Sequence, residues 1–228
     1  MNANPNVAVV ATLVSETSRA AILTVLLDGR FHPASELAYM AGIKPQTASF
    51  HLAKLVDAKL VSVEKQGRHR YYGILNQEVA QIMETLLSIA PPVEIRSLKQ
   101  ASENTAIRFA RTCYDHPAGK FGVLLTDSLI NLGAINEDKQ GFIVTEKGER
   151  FFTDFQIDLE KIKKKRRSFS HKCLDWSERR HHLGGALGNA LLERFLELNW
   201  IQRMPKTRAI KITFEGKKGF KETFSFDI

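Results

Sequence analysis

Two stretches in the second half of the chain concentrate side chains that could hold a metal ion. They are residues 108–119 and residues 171–185. In the first stretch Cys113 and His116 lie three positions apart, a spacing at which both could share one face of a helix. Thiolate and imidazole are the donors that soft and borderline ions prefer. With haem ligation and thiol oxidation as variants of the same chemistry, the possible ligands are Cys113, His116, Cys173, His181 and His182.

The same two stretches allow two other interpretations. In one, arginines hold an anionic small molecule while an aromatic ring covers its apolar part. The residues of that effector pocket would be Arg108, Arg111, Tyr114, Asp115, Trp176 and Arg180. In the other, the residues are structural: Asp115 and Asp175 pair with buried arginines, and the cysteines pack as small apolar groups. The spacing matches no zinc-finger pattern, so the sequence names no cofactor.

An internal repeat in residues 93–228 could bring the two stretches together. Its first copy comprises residues 130–135, 142–148 and 151–152, and its second comprises residues 196–201, 210–216 and 220. Each copy predicts a helix, two short strands ending at Thr-x-x-Gly, and another helix, like the helix-plus-wing half of a winged helix. Copies packed side by side would place both polar stretches in one pocket.

Two further features of this half are given structural interpretations. Gly184, Gly185 and Gly188 favour close helix packing over a phosphate loop, since no strong strand precedes them and no Gly-Lys-Ser/Thr follows. The basic run at residues 161–167 is expected to end a helix that begins near Phe151 and to form a solvated surface.

The first half of the chain carries a different chemistry, centred on a helix predicted within residues 42–59. Gly42 allows a tight turn before it, and Pro45 suits its first turn. The predicted apolar face contains Ile43, Phe50, Leu52, Leu55 and Val56. The opposite face is polar and contains Gln46, Thr47, Ser49, His51 and Lys54. Helices predicted at residues 7–14, 19–27 and 34–41 precede it, so the order resembles a DNA-reading helix-turn-helix.

A β-hairpin with a basic tip follows this helix. Strand patterns at residues 60–65 and 69–74 flank a short turn, and a helix capped by Asn76 continues to residue 90. Long cations at the tip could meet phosphates or enter the minor groove. Helix and hairpin together predict a winged helix-turn-helix whose DNA contacts are Lys44, Gln46, Thr47, Ser49, His51, Lys54, Lys65, Arg68, His69 and Arg70.

These linked motifs resemble the arsenic-repressor (ArsR) type of bacterial regulator over residues 10–75. The matching segments are residues 15–23, 35–38, 46–55, 67–68 and 71–72. The resemblance implies a homodimer joined through the first and last helices of the domain, and two recognition helices on a palindromic operator. Metal-sensing relatives often carry cysteines in the third helix or histidines in the last, but residues 34–41 contain no cysteine and residues 76–90 no histidine. Metal sensing at those positions is therefore not expected.

Composition sets the limits of these predictions. The 228 residues carry a net charge of +8, of which residues 1–92, with eight Lys/Arg and seven Asp/Glu, contribute +1. Two cysteines 60 positions apart argue against a disulfide scaffold and favour reduced thiols. The start lacks the pattern of a signal peptide and no apolar run is long enough to span a membrane, so we expect a cytoplasmic protein without a membrane partner.

The predicted fold is mainly α with small β-hairpin wings, an α+β arrangement of two domains. Residues 1–92 form a winged helix-turn-helix for DNA binding and dimerisation, and residues 93–228 form a helical domain that contains the two winged-helix-like half repeats. The predicted function is a sequence-specific DNA-binding repressor, released by a small molecule or ion bound to the second domain. A methyltransferase-like enzyme with a winged-helix dimerisation domain is the alternative of another class. Since residues 93–228 lack a glycine-rich cofactor turn, we expect no enzyme activity.

Overall fold

The computed structural model describes residues 4–139 and 141–228. The chain divides into two compact units, one ending at Glu84 and one spanning Thr85–Ile228. Among the described residues, no single helix has the length and apolar composition needed to cross a membrane. Only the pair Val7–Ser15 and Thr17–Leu26, bent by 90°, reaches that threshold, by length and composition alone.

The first unit is a helical bundle with a small antiparallel sheet. The strand order in the sheet is β1-β3-β2. Its elements are α1 (Val7–Ser15), α2 (Thr17–Leu26), β1 (His32–Pro33), α3 (Ala34–Met40), α4 (Pro45–Asp57), β2 (Val61–Gln66), β3 (His69–Ile74) and the start of α5 (Gln77–Ile89). The predicted winged helix-turn-helix is confirmed. Strand β1 was not predicted, because a two-residue strand ending in proline looks like a break in sequence.

Apolar side chains at helical spacing build the core of this unit. The predicted inward residues of the second helix are fully buried: Ile22, Leu23, Leu26 and Leu27. The turn into α4 uses Gly42 at a φ of 67°, where a side chain would strain the backbone. Pro45 occupies the first turn of α4, where its missing N–H costs nothing. Asn76 caps α5 as predicted, accepting from the Val79 N–H at 3.0 Å.

The faces of α4 differ from the prediction at two neighbouring positions. Its buried face consists of Ala48, His51, Leu52 and Leu55, whereas Phe50 is 57% exposed. The expectation that Phe50 packs inward and His51 points outward is therefore wrong. Positions 48, 51, 52 and 55 follow the i, i+3, i+4, i+7 spacing of one helix face, and residue 50 lies off that stripe.

His51 can be buried because polar partners lie next to its ring in the interior. Its Nδ1 lies 3.4 Å from the Arg19 guanidinium, and its Nε2 lies 3.5 Å from a Glu16 carboxylate oxygen. Glu16 also caps α2, accepting from the Ser18 and Arg19 N–H groups at 3.0 and 2.9 Å. Arg19 in turn donates to the carbonyls of residues 12 and 13. This network joins α1, α2 and α4 at a buried polar contact.

The second unit combines helices with two-stranded antiparallel hairpins. The hairpins pair β4 with β5, β6 with β7, β8 with β9, and β10 with β11. Its elements after α5 are α6 (Leu98–Phe109), β4 (Arg111–Cys113), β5 (His116–Ala118), α7 (Gly119–Asn131), β6 (Ile135–Glu137), β7 (Phe142–Val144), α8 (Glu146–Asp154), α9 (Leu159–Lys163), β8 (His171–Leu174), β9 (His181–Gly184), α10 (Gly185–Glu197), β10 (Ile201–Arg203), β11 (Ile210–Ile212) and α11 (Phe214–Phe224).

The predicted repeat is present and is longer than the sequence suggested. Each copy contains a hairpin, a long helix, a second hairpin and a closing helix, preceded by α6 in one copy and α9 in the other. In both copies a threonine caps the closing helix: Thr145 accepts from the Gly148 N–H, and Thr213 accepts from the Gly216 N–H, each at 2.9 Å. A Cβ on either glycine would overlap a carbonyl oxygen of the preceding hairpin. The Thr-x-x-Gly motif is therefore a packing requirement.

Aromatic rings from both copies fill one core. Phe121 of α7 contacts Phe195 of α10 and Phe220 of α11, with ring centroids 6.2 and 5.0 Å apart. All three side chains are fully buried. Edge-to-face contacts of this kind add to the stabilisation from burial. The two copies thus form a single hydrophobic core.

Three local predictions in this half are corrected by the structure. The stretch containing Cys113 and His116 is a hairpin rather than a helix. The basic run does not end a continuous helix from Phe151, because α8 stops at Asp154 and α9 covers only Leu159–Lys163. A strand, β9, does lead directly into Gly185. The packing interpretation of these glycines is confirmed at Gly188, where a Cβ would overlap the Leu183 carbonyl oxygen.

Candidate functional site

The outward face of α4 presents polar and aromatic side chains to solvent. Gln46, Ser49 and Phe50 are exposed, and Lys54 places its Nζ 4.3 Å from the Phe50 ring centroid. The Ser49 hydroxyl donates to the Pro45 carbonyl at 3.0 Å, and its oxygen remains able to accept. Lys44 is exposed at the start of the helix and Thr47 is half-buried. This face combines donors and acceptors with a cation, as a groove-reading helix requires.

A cationic hairpin stands beside that face. Strands β2 and β3 pair Lys65 with Arg70 and Gln66 with His69, and Gly67 turns the chain at a φ of 59°. All four predicted wing contacts are exposed. A groove of about 680 Å³ lies between α4 and the wing, and its lining includes Ser49, Ala53, Val56 and Asp57 of α4 and all four wing residues, Lys65, Arg68, His69 and Arg70.

His51 does not join this surface. Its ring is directed into the unit, against Arg19 and Glu16, and the residue is only 8% exposed. The prediction that His51 contacts DNA is corrected accordingly. Phe50, assigned to the core from sequence, occupies the outward position instead.

In the second unit, four of the five predicted metal ligands come together. The Sγ atoms of Cys113 and Cys173 lie 3.6 Å apart, and the Nε2 atoms of His116 and His182 lie 3.2 Å apart. All four potential ligand atoms lie within 4.8 Å of one another. His181 is not part of this group: it is exposed, because adjacent residues of a strand point to opposite faces. We call Cys113, His116, Cys173 and His182 the thiol–imidazole cluster.

Two hairpins position the cluster. In β4–β5, Cys113 is paired directly with His116, and in β8–β9, Cys173 is paired directly with His182. Directly opposed residues on antiparallel strands project their side chains from the same face. Each copy of the repeat therefore contributes one thiol and one imidazole. Cys113, His116 and His182 are buried, and Cys173 is half-buried.

Carboxylates lie behind both imidazoles. An Asp115 oxygen is 3.3 Å from His116 Nδ1, and an Asp175 oxygen is 3.6 Å from His182 Nδ1, slightly beyond hydrogen-bond distance. Arg167 holds Asp115 through both of its terminal nitrogens, and Arg111 donates to Asp175 at 2.8 Å. The structural prediction that Asp115 and Asp175 pair with arginines is confirmed. Each aspartate is bound by an arginine from the other half of the unit.

The protonation of the cluster follows from these contacts. Burial alone would lower the pKa of His116, yet neighbouring Cys113 and Asp115 raise it to about 10. Burial, and then the charge on His116, hold the pKa of His182 well below its ordinary 6.5. Burial would raise the pKa of Asp115, but hydrogen bonds from His116 and Arg167 lower it to about 2. Because the two Nε2 atoms face each other, the two rings together carry one positive charge and not two.

Two other groups near the cluster, His171 and Asp175, also have lowered pKa values. Burial and the charge on His116 lower the pKa of His171 to about 4. Burial opposes ionisation of Asp175, but the charges of Arg111 and His182 keep its pKa below the ordinary 3.8. The cluster is thus surrounded by ionised carboxylates that are themselves paired with arginines.

The predicted effector residues are divided among several environments. Arg111 and Asp115 are committed to the buried ion pairs already described. The Arg108 and Arg111 guanidinium carbons lie 5.3 and 4.3 Å from the Trp176 ring centroid. Arg180 pairs with Asp127 at 2.8 Å on the surface, and Tyr114 forms the β4–β5 turn at a φ of 57°. A groove of about 480 Å³ in this unit is lined by eight residues of the 149–163 segment and contains none of the six.

Sequence inspection overlooked Arg167 and the full length of the repeated motif. Both copies contain the pattern Cys-x-Asp, then His-x-x-Gly-x-x-Gly, at residues 113–122 and 173–188. The insertion between Asp175 and His182 hides the match from a comparison at fixed spacing. Aligning the two histidine-glycine segments would have revealed which of the adjacent residues His181 and His182 corresponds to His116.

The exposed polar face of α4 and the cationic β2–β3 wing define a winged helix-turn-helix transcriptional regulator that binds DNA. A family model described as a helix-turn-helix domain matches residues 14–64. The chain is 54% identical over 225 residues to YdfF of Bacillus subtilis (strain 168), an uncharacterized HTH-type transcriptional regulator, and the match covers 99% of this chain and 100% of the relative. The chain therefore belongs to the HTH-type transcriptional regulators. The resemblance to ArsR-type winged helix-turn-helix regulators is confirmed at the level of that class.

Two solved structures show partial similarity to the chain. HlyU from Vibrio cholerae N16961 is 28% identical, with 35% of this chain and 86% of that chain covered and a TM-score of 0.33. The antimony-specific transcriptional repressor AntR is 26% identical, with 36% of this chain and 73% of that chain covered and a TM-score of 0.33.

Proposed function

We propose that this protein is a homodimeric transcriptional repressor that reads a palindromic operator and is released from it by an effector bound to the second unit. The observation that carries the proposal is the groove between α4 and the wing. It collects Ser49 with Lys65, Arg68, His69 and Arg70 on one exposed surface. Gln46 and Lys44 would read bases and backbone, while the wing cations would neutralise phosphates.

Apolar side chains left exposed on two helices support dimerisation. On α1, Val7 and Val9 are 78% and 56% exposed. On α5, Ile82 and Ile89 are 53% and 76% exposed, and Leu86 is 38% exposed. Surfaces of this kind on a soluble unit commonly mark protein interfaces. A second copy of the chain is the proposed partner, since a two-fold dimer presents two equivalent recognition helices.

Release by an effector would be a population shift. A ligand that binds better to the dimer geometry unable to span two half-sites lowers operator affinity by that difference in free energy. The second unit is the proposed ligand site, because α4 and the wing of the first unit are assigned to DNA and its exposed helix α1 to the partner chain. We propose that the DNA-binding domain extends past the first unit to about residue 92, so that it includes all of α5.

Genome-wide mapping of the bound DNA in cells that carry the gene tests the proposal. We expect sites that share a two-fold symmetric motif, and we expect transcription of the adjacent genes to rise when the gene is deleted. Sites without a common motif would contradict sequence-specific reading. A fall in transcription of the adjacent genes on deletion would contradict repression.

A further inference from the structure

The sulfur–sulfur and nitrogen–nitrogen distances in the thiol–imidazole cluster fit a tetrahedral metal site. With bonds of about 2.3 Å to sulfur and about 2.0–2.1 Å to nitrogen, a tetrahedral Zn²⁺ separates two sulfurs by about 3.8 Å and two nitrogens by about 3.3 Å. The structure has Cys113 and Cys173 Sγ atoms at 3.6 Å and His116 and His182 Nε2 atoms at 3.2 Å. Both pairs agree with a common metal centre to within about 0.2 Å.

The imidazoles are oriented as metal ligands. Both direct Nε2 toward the centre of the cluster, and both have an aspartate near Nδ1, Asp115 at 3.3 Å and Asp175 at 3.6 Å. A carboxylate behind a histidine favours the Nδ1–H tautomer and leaves the Nε2 lone pair free to coordinate. The two Nε2 atoms, 3.2 Å apart, must have either a proton or a metal ion between them, and a metal ion would displace that proton.

The charge balance suits a divalent ion. Two thiolates and a divalent cation sum to zero, so the buried centre would carry no net charge. Arg167 and Arg111 neutralise the two supporting aspartates. A four-coordinate centre made only of protein side chains is closed to substrate, which is the pattern of structural zinc sites.

A disulfide explains the cluster less well. The sulfur separation of 3.6 Å exceeds the roughly 2.0 Å of an S–S bond, and a disulfide would leave the apposed imidazoles without a role. Structural packing alone also fails to explain why each copy of the repeat supplies one cysteine and one histidine from directly paired strand positions.

We propose that Cys113, His116, Cys173 and His182 bind one Zn²⁺, or a divalent ion of similar preference, which links the two copies of the repeat. Cys113 and His116 come from the first copy, and Cys173 and His182 come from the second. The ion would therefore cross-link two hairpins that are distant in sequence, and its binding free energy would add to the stability of the folded unit.

Metal analysis of the untagged full-length protein tests this site. After expression with zinc and extensive dialysis, we expect one zinc per chain in the wild type. The same stoichiometry is expected in the matched control His181→Ala, which removes an exposed neighbouring imidazole. Cys113→Ser and His182→Ala should retain far less metal. Full zinc retention by the Cys113→Ser, Cys173→Ser double variant would overturn the proposal.

Cobalt replacement tests the same site without any substitution, in case the variants fail to fold. Tetrahedral Co²⁺ gives strong visible ligand-field bands, and thiolate ligands add charge-transfer absorption in the near ultraviolet. The chain has only two cysteines, so such absorption must come from Cys113 and Cys173. We expect both spectral features and a lower Tm after chelation. A reduced wild-type protein that binds neither ion, or a cobalt spectrum without thiolate absorption, would overturn the proposal, whatever the protein does with DNA.

Discussion

Single residues on α4 are expected to separate DNA reading from the stability of the fold. Gln46 and Ser49 are exposed, whereas His51 is buried against Arg19 and Glu16. Substitutions on the exposed face should therefore change DNA binding without changing stability. A substitution of His51 should lower the stability of the fold before it affects DNA binding, since it removes one member of a buried polar network.

Gln46→Ala tests base reading. A bidentate glutamine–adenine contact discriminates by about 1–3 kcal/mol, so we expect operator affinity to fall at least about fivefold while affinity for random duplex changes little. Fluorescence anisotropy with both DNAs measures the difference. Gln202→Ala, an exposed glutamine in the second unit, is the matched control. Equal losses on the two DNAs would contradict base reading by Gln46.

His32 gives the first unit a pH-dependent contribution to stability. It is buried, with Nε2 at 2.9 Å from Asp28 and Nδ1 at 3.1 Å from Glu36. Burial alone would lower the pKa of His32, but Asp28 and then Glu36 raise it above 6.5. A raised folded-state pKa means that this contribution is complete below about pH 6.5 and is lost as pH rises through the folded pKa.

His32→Gln should destabilise the protein by about 1–3 kcal/mol near pH 6, because a neutral amide then replaces the imidazolium beside the Asp28 carboxylate. We expect the Tm difference from wild type to shrink as the pH rises above about 6.5. Thermal unfolding followed by circular dichroism measures it. A Tm difference that does not vary with pH would show that His32 is not protonated in the folded state.

At the scale of elements, we expect the wing to bind the DNA backbone and α4 to read bases. The β2–β3 hairpin presents cations whose contacts with phosphate are independent of sequence. Arg68→Ala should lower affinity for all duplexes roughly tenfold at about 0.1 M salt. It should also reduce the salt slope by about one for each wing, or about two per dimer.

Salt titrations of binding check this expectation. Arg150→Ala removes an exposed arginine from α8 and provides the control of equal charge. An unchanged slope in Arg68→Ala would mean that the wing does not touch the backbone. A slope change of the same size in Arg150→Ala would point to general electrostatic attraction instead.

Sequence predicted the first unit well because its signals are local. Helical spacing identified α2, the glycine–proline pair marked the entrance to α4, and the turn between β2 and β3 was evident. The buried and exposed faces of α4 were harder to predict. Phe50 and His51 are adjacent, and residue type suggested that Phe50, rather than His51, lies in the core. Only the Glu16–Arg19 pair, positioned by the start of α2, explains why a histidine is preferred inside.

In the second unit, the sequence did not predict how distant residues come into contact. Cys113 and His116 suggested a helix because their spacing of three fits one, but a two-residue turn between strands produces the same spacing. Contact between Cys113 and Cys173 joins positions 60 apart, and no local pattern encodes it. The repeat was the one usable signal, since equivalent residues of two packed copies meet near their common axis.

At the scale of the whole molecule, reading of a palindromic operator requires two copies of the chain. Ile82→Lys places a charge on the exposed apolar surface of α5, so we expect the dimer to dissociate with little change in monomer folding. Light scattering with size-exclusion chromatography measures the mass. Ile143→Lys is the matched control, since Ile143 is 57% exposed and Ile82 is 53% exposed. A dimer that survives Ile82→Lys but not Ile143→Lys would place the interface elsewhere.

Selection of bound duplexes from a random DNA pool tests whether α4 reads a specific operator. We expect the wild type to enrich a two-fold symmetric motif whose half-sites lie about one helical turn apart, or a multiple of it, on centre. Gln46→Ala should lose sequence preference within each half-site, and Ile82→Lys should retain only single half-sites at weaker affinity. Enrichment of no motif, or of one that Gln46→Ala leaves unchanged, would contradict operator reading through α4.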